Sequence, residues 1–227
     1  MTTADGVHIT ATRYLPASQA AAPPALMLVH GYGAQREVWA HVGRRAQAEG
    51  YMAVALDLRG HGDSTRWGTR TLDFRTMSDG AWRAAVADLR AAKEALLDAG
   101  ADAENLAVVG EGFGAALALR YAAADPAVQA LVLVSPSLDA HGLEPAARIG
   151  GLGARPVLIL AAEQDAHAYT AATVLKQTAA GLAEIRAYAG GAHGADLLAA
   201  SRNALLQLFG WLDAVAGLKR NLPADAG

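Results

Sequence analysis

The stretch Leu106-Ala107-Val108-Val109-Gly110-Glu111-Gly112-Phe113-Gly114-Ala115-Ala116-Leu117-Ala118-Leu119-Arg120-Tyr121 decides the fold. Its first four residues are an uninterrupted apolar run, as expected of a strand buried on both faces of a parallel sheet. Three glycines in five residues then give a sharp turn, and an apolar, alanine-rich segment follows with helical character. The same strand, turn and helix succession recurs on either side. Apolar runs at Ala25–Val29, Met52–Leu56, Leu131–Val134 and Val157–Leu160 alternate with helical segments at about 36–49, 79–98, 113–124, 167–180 and 196–215. Ile185–Tyr188 reads as the last strand. Val7–Tyr14 alternates with period two and reads as an edge or antiparallel strand. Alternation of this kind predicts an α/β chain with a doubly wound, mostly parallel sheet of about seven or eight strands and helices on both faces. Ligands in such sheets sit at the carboxyl ends of the strands, where the unusual polar and glycine residues gather here.

Bulk properties narrow the classes. A chain of 227 residues with 53% hydrophobic and 18% charged residues has material for one large core, so residues 1–227 are expected to form a single domain. The segment 221–227 reads as a frayed tail. A net charge of −3 gives no reason to expect a nucleic acid or an anionic membrane as partner. No cysteine is present, which excludes disulfides, thiolate nucleophiles and cysteine-bound metals. The first residues lack the pattern of a signal peptide, and no apolar run reaches the roughly 18 residues of a membrane span. A cytoplasmic protein without metal or cofactor is expected, and the sequence leaves its oligomeric state open.

The chemistry concentrates at the strand ends. Gly110-Glu111-Gly112-Phe113-Gly114 has the context of a nucleophile elbow, G-x-S-x-G, with Gly112 at the nucleophile position. Taken alone it reads first as a plain glycine turn, and the rest of the chain reverses that. Glu111 is the variable residue before the nucleophile position; its side chain should point away from substrate, and its plain reading is a partner for backbone or arginine groups. His30-Gly31-Tyr32-Gly33 follows the first long strand and offers backbone N–H groups to a developing oxyanion, with Tyr32 and Phe113 as the donors. In Asp57-Leu58-Arg59-Gly60-His61-Gly62-Asp63-Ser64 the polar side chains read as ties within a glycine loop, and His61 as a loop residue. Asp165 follows the strand at 157–161, and His193 sits in Gly190-Gly191-Ala192-His193-Gly194 after the last strand. The order elbow, Asp, His is that of a hydrolytic triad. Secondary candidates are Asp139 for the acid and Glu111 as a stand-in nucleophile or base. Between Ser135 and Pro156 the chain is too short for a helical cap, so the lid is minimal or absent. At most this loop and Thr65–Ser78, with Trp67 and Phe74, roof the site.

These motifs together resemble the α/β-hydrolase superfamily, in particular its compact serine esterase, dienelactone hydrolase and acyl-peptidase-like branches. The resemblance runs over nearly the whole chain. It implies a serine nucleophile at position 112, Asp165 orienting His193, and an oxyanion hole from the Tyr32 and Phe113 amides. It also implies a small-molecule ester, thioester or amide as ligand. The chain departs from the pattern at the nucleophile, since residue 112 is glycine and no acyl-enzyme forms there. Loss of a serine nucleophile costs about 10⁶-fold in kcat, leaving roughly 10³–10⁴ over water. Three readings remain open at this level: a serine hydrolase whose nucleophile is replaced, a natural non-catalytic binding module, or a lyase or water-activating hydrolase using the His193–Asp165 pair.

Overall fold

The structure is a computed structural model that describes residues 1–17 and 22–214; the expected frayed tail at 221–227 lies outside the described residues. In chain order the strands are β1 (Val7–His8), β2 (Ala11–Tyr14), β3 (Ala25–Val29), β4 (Met52–Leu56), β5 (Arg66–Trp67), β6 (Arg70–Thr71), β7 (Leu106–Glu111), β8 (Val128–Val134), β9 (Val157–Ala162) and β10 (Ala183–Tyr188). The helices are α1 (Ala40–Ala48), α2 (Asp79–Ala84), α3 (Val86–Asp98), α4 (Gly112–Ala124), α5 (Pro145–Arg148), α6 (Ala166–Thr178), α7 (Ala195–Ala200) and α8 (Arg202–Ala214). Seven strands form one sheet in the order β10-β9-β8-β7-β3-β4-β2. All neighbours are parallel except β2, which runs antiparallel to β4 at the edge. This is the doubly wound α/β architecture the apolar runs predict.

Alternation within each strand builds two cores. Met27, Val29, Val54, Leu56, Val108 and Ile159 face α3, α4 and α6. Leu26, Leu28, Val109, Leu158 and Leu160 face α1, α7 and α8, where Trp39, Phe209 and Trp211 are buried. Successive side chains on a strand point to opposite faces, so a strand covered on both sides must be apolar throughout. That is why β3, β4, β7 and β9 are buried at every position. Among the described residues no helix is long and apolar enough to cross a membrane.

Several elements differ from their sequence expectation. The run Val7–Tyr14 is two strands. Ile9 and Thr10 turn their backbone N–H groups to the Met1 carbonyl and the Ser64 hydroxyl, both at hydrogen-bond length. So β1 joins a small three-stranded sheet with β5 and β6, while β2 joins the main sheet. The helix expected at 79–98 breaks at Ala85 into α2 and α3, and that at 196–215 breaks at Ser201, which has an extended backbone. The helix expected at 36–49 begins with a 3₁₀ turn, Arg36–Trp39. Between β8 and β9 lie only α5 and a 3₁₀ turn at Ile149–Leu152, so there is no helical cap.

Candidate active site

The turn from β7 into α4 depends on two glycines for packing and a third for conformation. A Cβ on Gly110 would lie 2.5 Å from the Gly114 carbonyl oxygen, and a Cβ on Gly114 would lie 2.3 Å from that of His30. Contacts this short with backbone leave no room for a side chain, so the helix can approach β3 and β7 only with glycine at both positions. Gly112 is different. Its φ is +51°, in the left-handed region, but the space beside it is open. The nearest atoms to a Cβ built there are His193 Nε2 at 3.9 Å and the Ser135 carbonyl oxygen at 4.0 Å.

His193 is held from three directions. Its Nδ1 lies 2.5 Å from Asp165 Oδ2. Asp165 is the N-cap of α6, and its Oδ1 accepts from the Ala168 N–H at 3.2 Å, which fixes the carboxylate that meets the imidazole. With Nδ1 donating, the neutral ring presents Nε2 as an acceptor toward Gly112. On the other side, the Gly194 N–H donates to Ser135 Oγ at 2.9 Å, and the Ala195 N–H donates to Glu111 Oε2. Ser135 is a non-glycine residue with φ of +44°, a strained conformation at the carboxyl end of β8.

Glu111 joins the two sides of the site. Its Oε1 accepts from the Gly31 N–H at 2.9 Å while Oε2 holds Ala195. The carboxyl is buried, and burial raises its pKa above the ordinary value even though both N–H bonds pull it down. Both of its oxygens are therefore committed to backbone, in keeping with the plain reading of this residue.

The loop after β3 rests on two buried imidazoles. His30 Nδ1 pairs with the Gly31 carbonyl at 2.7 Å, and its Nε2 accepts from the Leu58 N–H at 3.0 Å. Desolvation lowers the His30 pKa to about 4, so the ring is neutral at ordinary pH. His61 Nε2 accepts from the Gly33 N–H at 3.1 Å, and its ring stacks on Phe74 at 4.2 Å. His61 is thus a buried post beneath the Tyr32 loop. Arg59, Asp63 and Ser64 are ties, as expected: Arg59 binds buried Asp88 and Asp5, Asp63 accepts from the Arg36 guanidinium at 2.8 Å, and Ser64 accepts from the Thr10 N–H; Asp57 also takes the Arg36 guanidinium, with two backbone N–H groups.

Tyr32, Glu111, Gly112, Phe113, Asp139 and His193 line one cleft of about 550 Å³ at the carboxyl ends of the strands, with Asp165 behind His193. Such a volume suits a small molecule. Phe113 is the second residue of α4, so its N–H has no partner within the helix. Asp139 lines the cleft, and among the described residues it is hydrogen-bonded through its carbonyl, to Ser137 Oγ; the carboxylate that meets His193 is that of Asp165. The roof is in part as expected: the Ser135–Pro156 loop lines the cleft with Ser137, Asp139 and His141, while no residue of Thr65–Ser78 is among the described lining residues. Trp67 lies away from the cleft, where its Nε1 donates to the Asp5 carbonyl, and Phe74 supports Tyr32 from behind. His141, stacked on Tyr32 at 4.9 Å, takes the place at the rim. His167 and Asp196 also line the cleft, and neither stands out in the sequence. His167 follows Asp165 by two positions and meets Ser137 Oγ at 3.2 Å, and Asp196 follows His193 by three, so nearness to the two motifs was their one signal. Neither lysine nor arginine is among the described lining residues. Nor is any group of three or more His, Cys, Asp or Glu among the described residues arranged to hold a metal ion.

Comparison with known proteins agrees with this architecture. Residues 21–157 match the family model described as serine aminopeptidase, S33. The quorum-quenching protein AidA of Acinetobacter baumannii (strain MDR-ZJ06) is 28% identical over 178 residues, 71% of this chain and 56% of AidA, so the match spans little more than half of that relative. The α/β hydrolase GrgF from Penicillium sp. sh18 superposes with a TM-score of 0.79 at 15% identity, covering 96% of this chain and 97% of GrgF. Est1E from Butyrivibrio proteoclasticus, whose structure has ferulic acid bound, gives 0.71 at 17% identity over 92% and 97% of the two chains. At these identities the structures speak for the fold, which is that of the α/β hydrolases, and the family model covers more than half of the sequence: the chain belongs to the family described as serine aminopeptidase, S33.

Proposed function

We propose that this protein carries the site of a serine hydrolase acting on small carboxylic esters, thioesters or amides, with Gly112 standing where the nucleophilic serine belongs. In this reading Asp165 orients His193, the Tyr32 and Phe113 amides form the oxyanion hole, and no acyl-enzyme forms at residue 112. The observation that carries it is the contrast within the elbow. Gly110 and Gly114 have no room for a Cβ, whereas Gly112 has room and faces His193 Nε2 at 3.9 Å, the reach of a serine hydroxyl. Among the described residues lining the cleft there is no lysine or arginine to pair with an anion, which favours a ligand that is neutral at the reacting end.

The test is Gly112→Ser assayed on short p-nitrophenyl esters. Replacing the nucleophile should raise kcat by several powers of ten, with a burst of p-nitrophenol and covalent labelling of residue 112 by a fluorophosphonate. A folded Gly112→Ser protein that neither turns over ester nor takes the label would overturn the reading and leave a binding module on a hydrolase fold.

A further inference from the structure

We propose that the protein as it stands hydrolyses activated short-chain esters without a covalent intermediate, by attack of a water held at the Gly112 position. The inference rests on the site reading above and adds an activity to it. Two acceptors look onto the space beside Gly112: His193 Nε2 and the Ser135 carbonyl oxygen, 3.9 and 4.0 Å from the Cβ point. A polar atom a bond length beyond that point, where a serine hydroxyl would stand, is therefore within reach of a base and of a carbonyl oxygen. A water has two hydrogens to give, one to each, which a serine hydroxyl has not. Water in a protein site is stabilised by two to four polar partners, and this place supplies two before any substrate is counted.

The surroundings fix both acceptors. The imidazole is oriented by Asp165, itself locked as a helix cap. The Ser135 carbonyl is aimed by a strained backbone, φ +44°, whose side-chain oxygen simultaneously holds the Gly194 N–H at 2.9 Å. One residue thus positions the loop carrying the base and offers the second acceptor. Strain of this kind is kept where the surroundings enforce it.

The step balances with ester and water alone. The water oxygen attacks the carbonyl carbon as one of its protons passes to His193 Nε2, and the carbonyl oxygen takes the negative charge beside the Tyr32 and Phe113 N–H groups. The tetrahedral species then collapses with cleavage of the bond to the leaving oxygen, which takes the proton from His193. The products are the carboxylic acid and the alcohol, and the enzyme returns to its starting state. General-base assistance of this type is worth about 10²–10⁴-fold.

The experiment uses the full chain, p-nitrophenyl acetate and three variants. Unaltered protein should turn over the ester linearly, with no burst and no inhibition by a fluorophosphonate, and His193→Gln should lower that rate by about 10²-fold or more. Gly112→Ala should lower it comparably, because its methyl occupies the water's place without a contact closer than 3.9 Å. Turnover no greater than that of His193→Gln, turnover that Gly112→Ala leaves intact, a burst, or inhibition by the fluorophosphonate would each overturn the proposal. Gly112→Ser keeps the two readings apart. If it is active and labelled while the unaltered protein shows no His193-dependent rate, the water mechanism fails and the hydrolase site stands. If it is inert, the hydrolase reading itself fails.

Discussion

Gly112→Ser should cost little stability, and Gly114→Ala, two residues away, should cost much more. At Gly112 the penalty is conformational. A side chain at φ +51° meets the Cβ clash of the left-handed region, worth about 1–2 kcal/mol. The unfolded chain loses glycine's extra freedom at the same time, which returns about 0.4–1 kcal/mol. Nothing lies closer than 3.9 Å to the new Cβ, so packing adds nothing. The net loss is about 1 kcal/mol, or a fall of about 2–4 °C in Tm for a chain of this size. At Gly114 the penalty is steric. A Cβ would lie 2.3 Å from the His30 carbonyl oxygen and 2.6 Å from that of Val29. Those are backbone atoms of the central sheet and its exit loop and cannot swing aside, so α4 must move, at a cost of about 3 kcal/mol or more. Thermal unfolding followed by circular dichroism measures both. Equal Tm losses for the two variants, or a loss beyond about 3 kcal/mol for Gly112→Ser, would refute the elbow geometry.

Two further outcomes follow from the buried groups around the site. His30 stays neutral in the fold down to about pH 4, while an unfolded chain protonates it near 6.5. The unfolded state therefore takes up the proton first as pH falls, so stability drops between about pH 6.5 and 4, by about 3 kcal/mol from this group. His61, lowered by burial in the same direction, adds to the slope. Urea unfolding across that window should show the loss and His30→Gln should flatten it; an unchanged slope in the variant would remove His30 as the cause. Glu111→Gln should destabilise the protein by about 1–3 kcal/mol, because the amide offers one acceptor to two backbone N–H groups and sets its own N–H₂ against the other. An unchanged urea midpoint would show that the Gly31 and Ala195 loops are not both held by this carboxylate.

The sequence reveals those parts of the site whose geometry is local. Glycines at 110 and 114, the His30-Gly31 turn, and the order of Gly112, Asp165 and His193 all announce themselves, because a strand end that must turn sharply or admit a close helix writes that need into a few adjacent residues. Interactions between distant segments are not written that way. Glu111 contacts residues 80 and 84 positions away, and Ser135 holds Gly194 across 59. Neither residue type is unusual at its position, so only the folded chain shows what they bind. The placing of Trp67 over the cleft has the same origin: nothing in its neighbourhood reveals that β5 pairs with β1 rather than folding over the strand ends. The break at Ala85 is illegible for a different reason. Alanine is the best helix former, and the chain leaves the helix there without glycine or proline.

The groups that shape this site do not include residue 112. His193 is placed by Asp165, Ser135 and Glu111; the Tyr32 loop is placed by Glu111, His30 and His61; and the elbow's close packing needs Gly110 and Gly114. Each of these is a hydrogen bond or a backbone contact, and each would be as necessary with a serine at 112 as with a glycine. A framework built in this way keeps its geometry whatever stands at the reacting position. The placing of Asp165, His193 and the Tyr32 loop is consequently independent of residue 112. Under the proposed reading the rate depends on what occupies the space in front of His193 Nε2, a water or a side-chain oxygen. That is why the decisive substitutions are those at residue 112 itself.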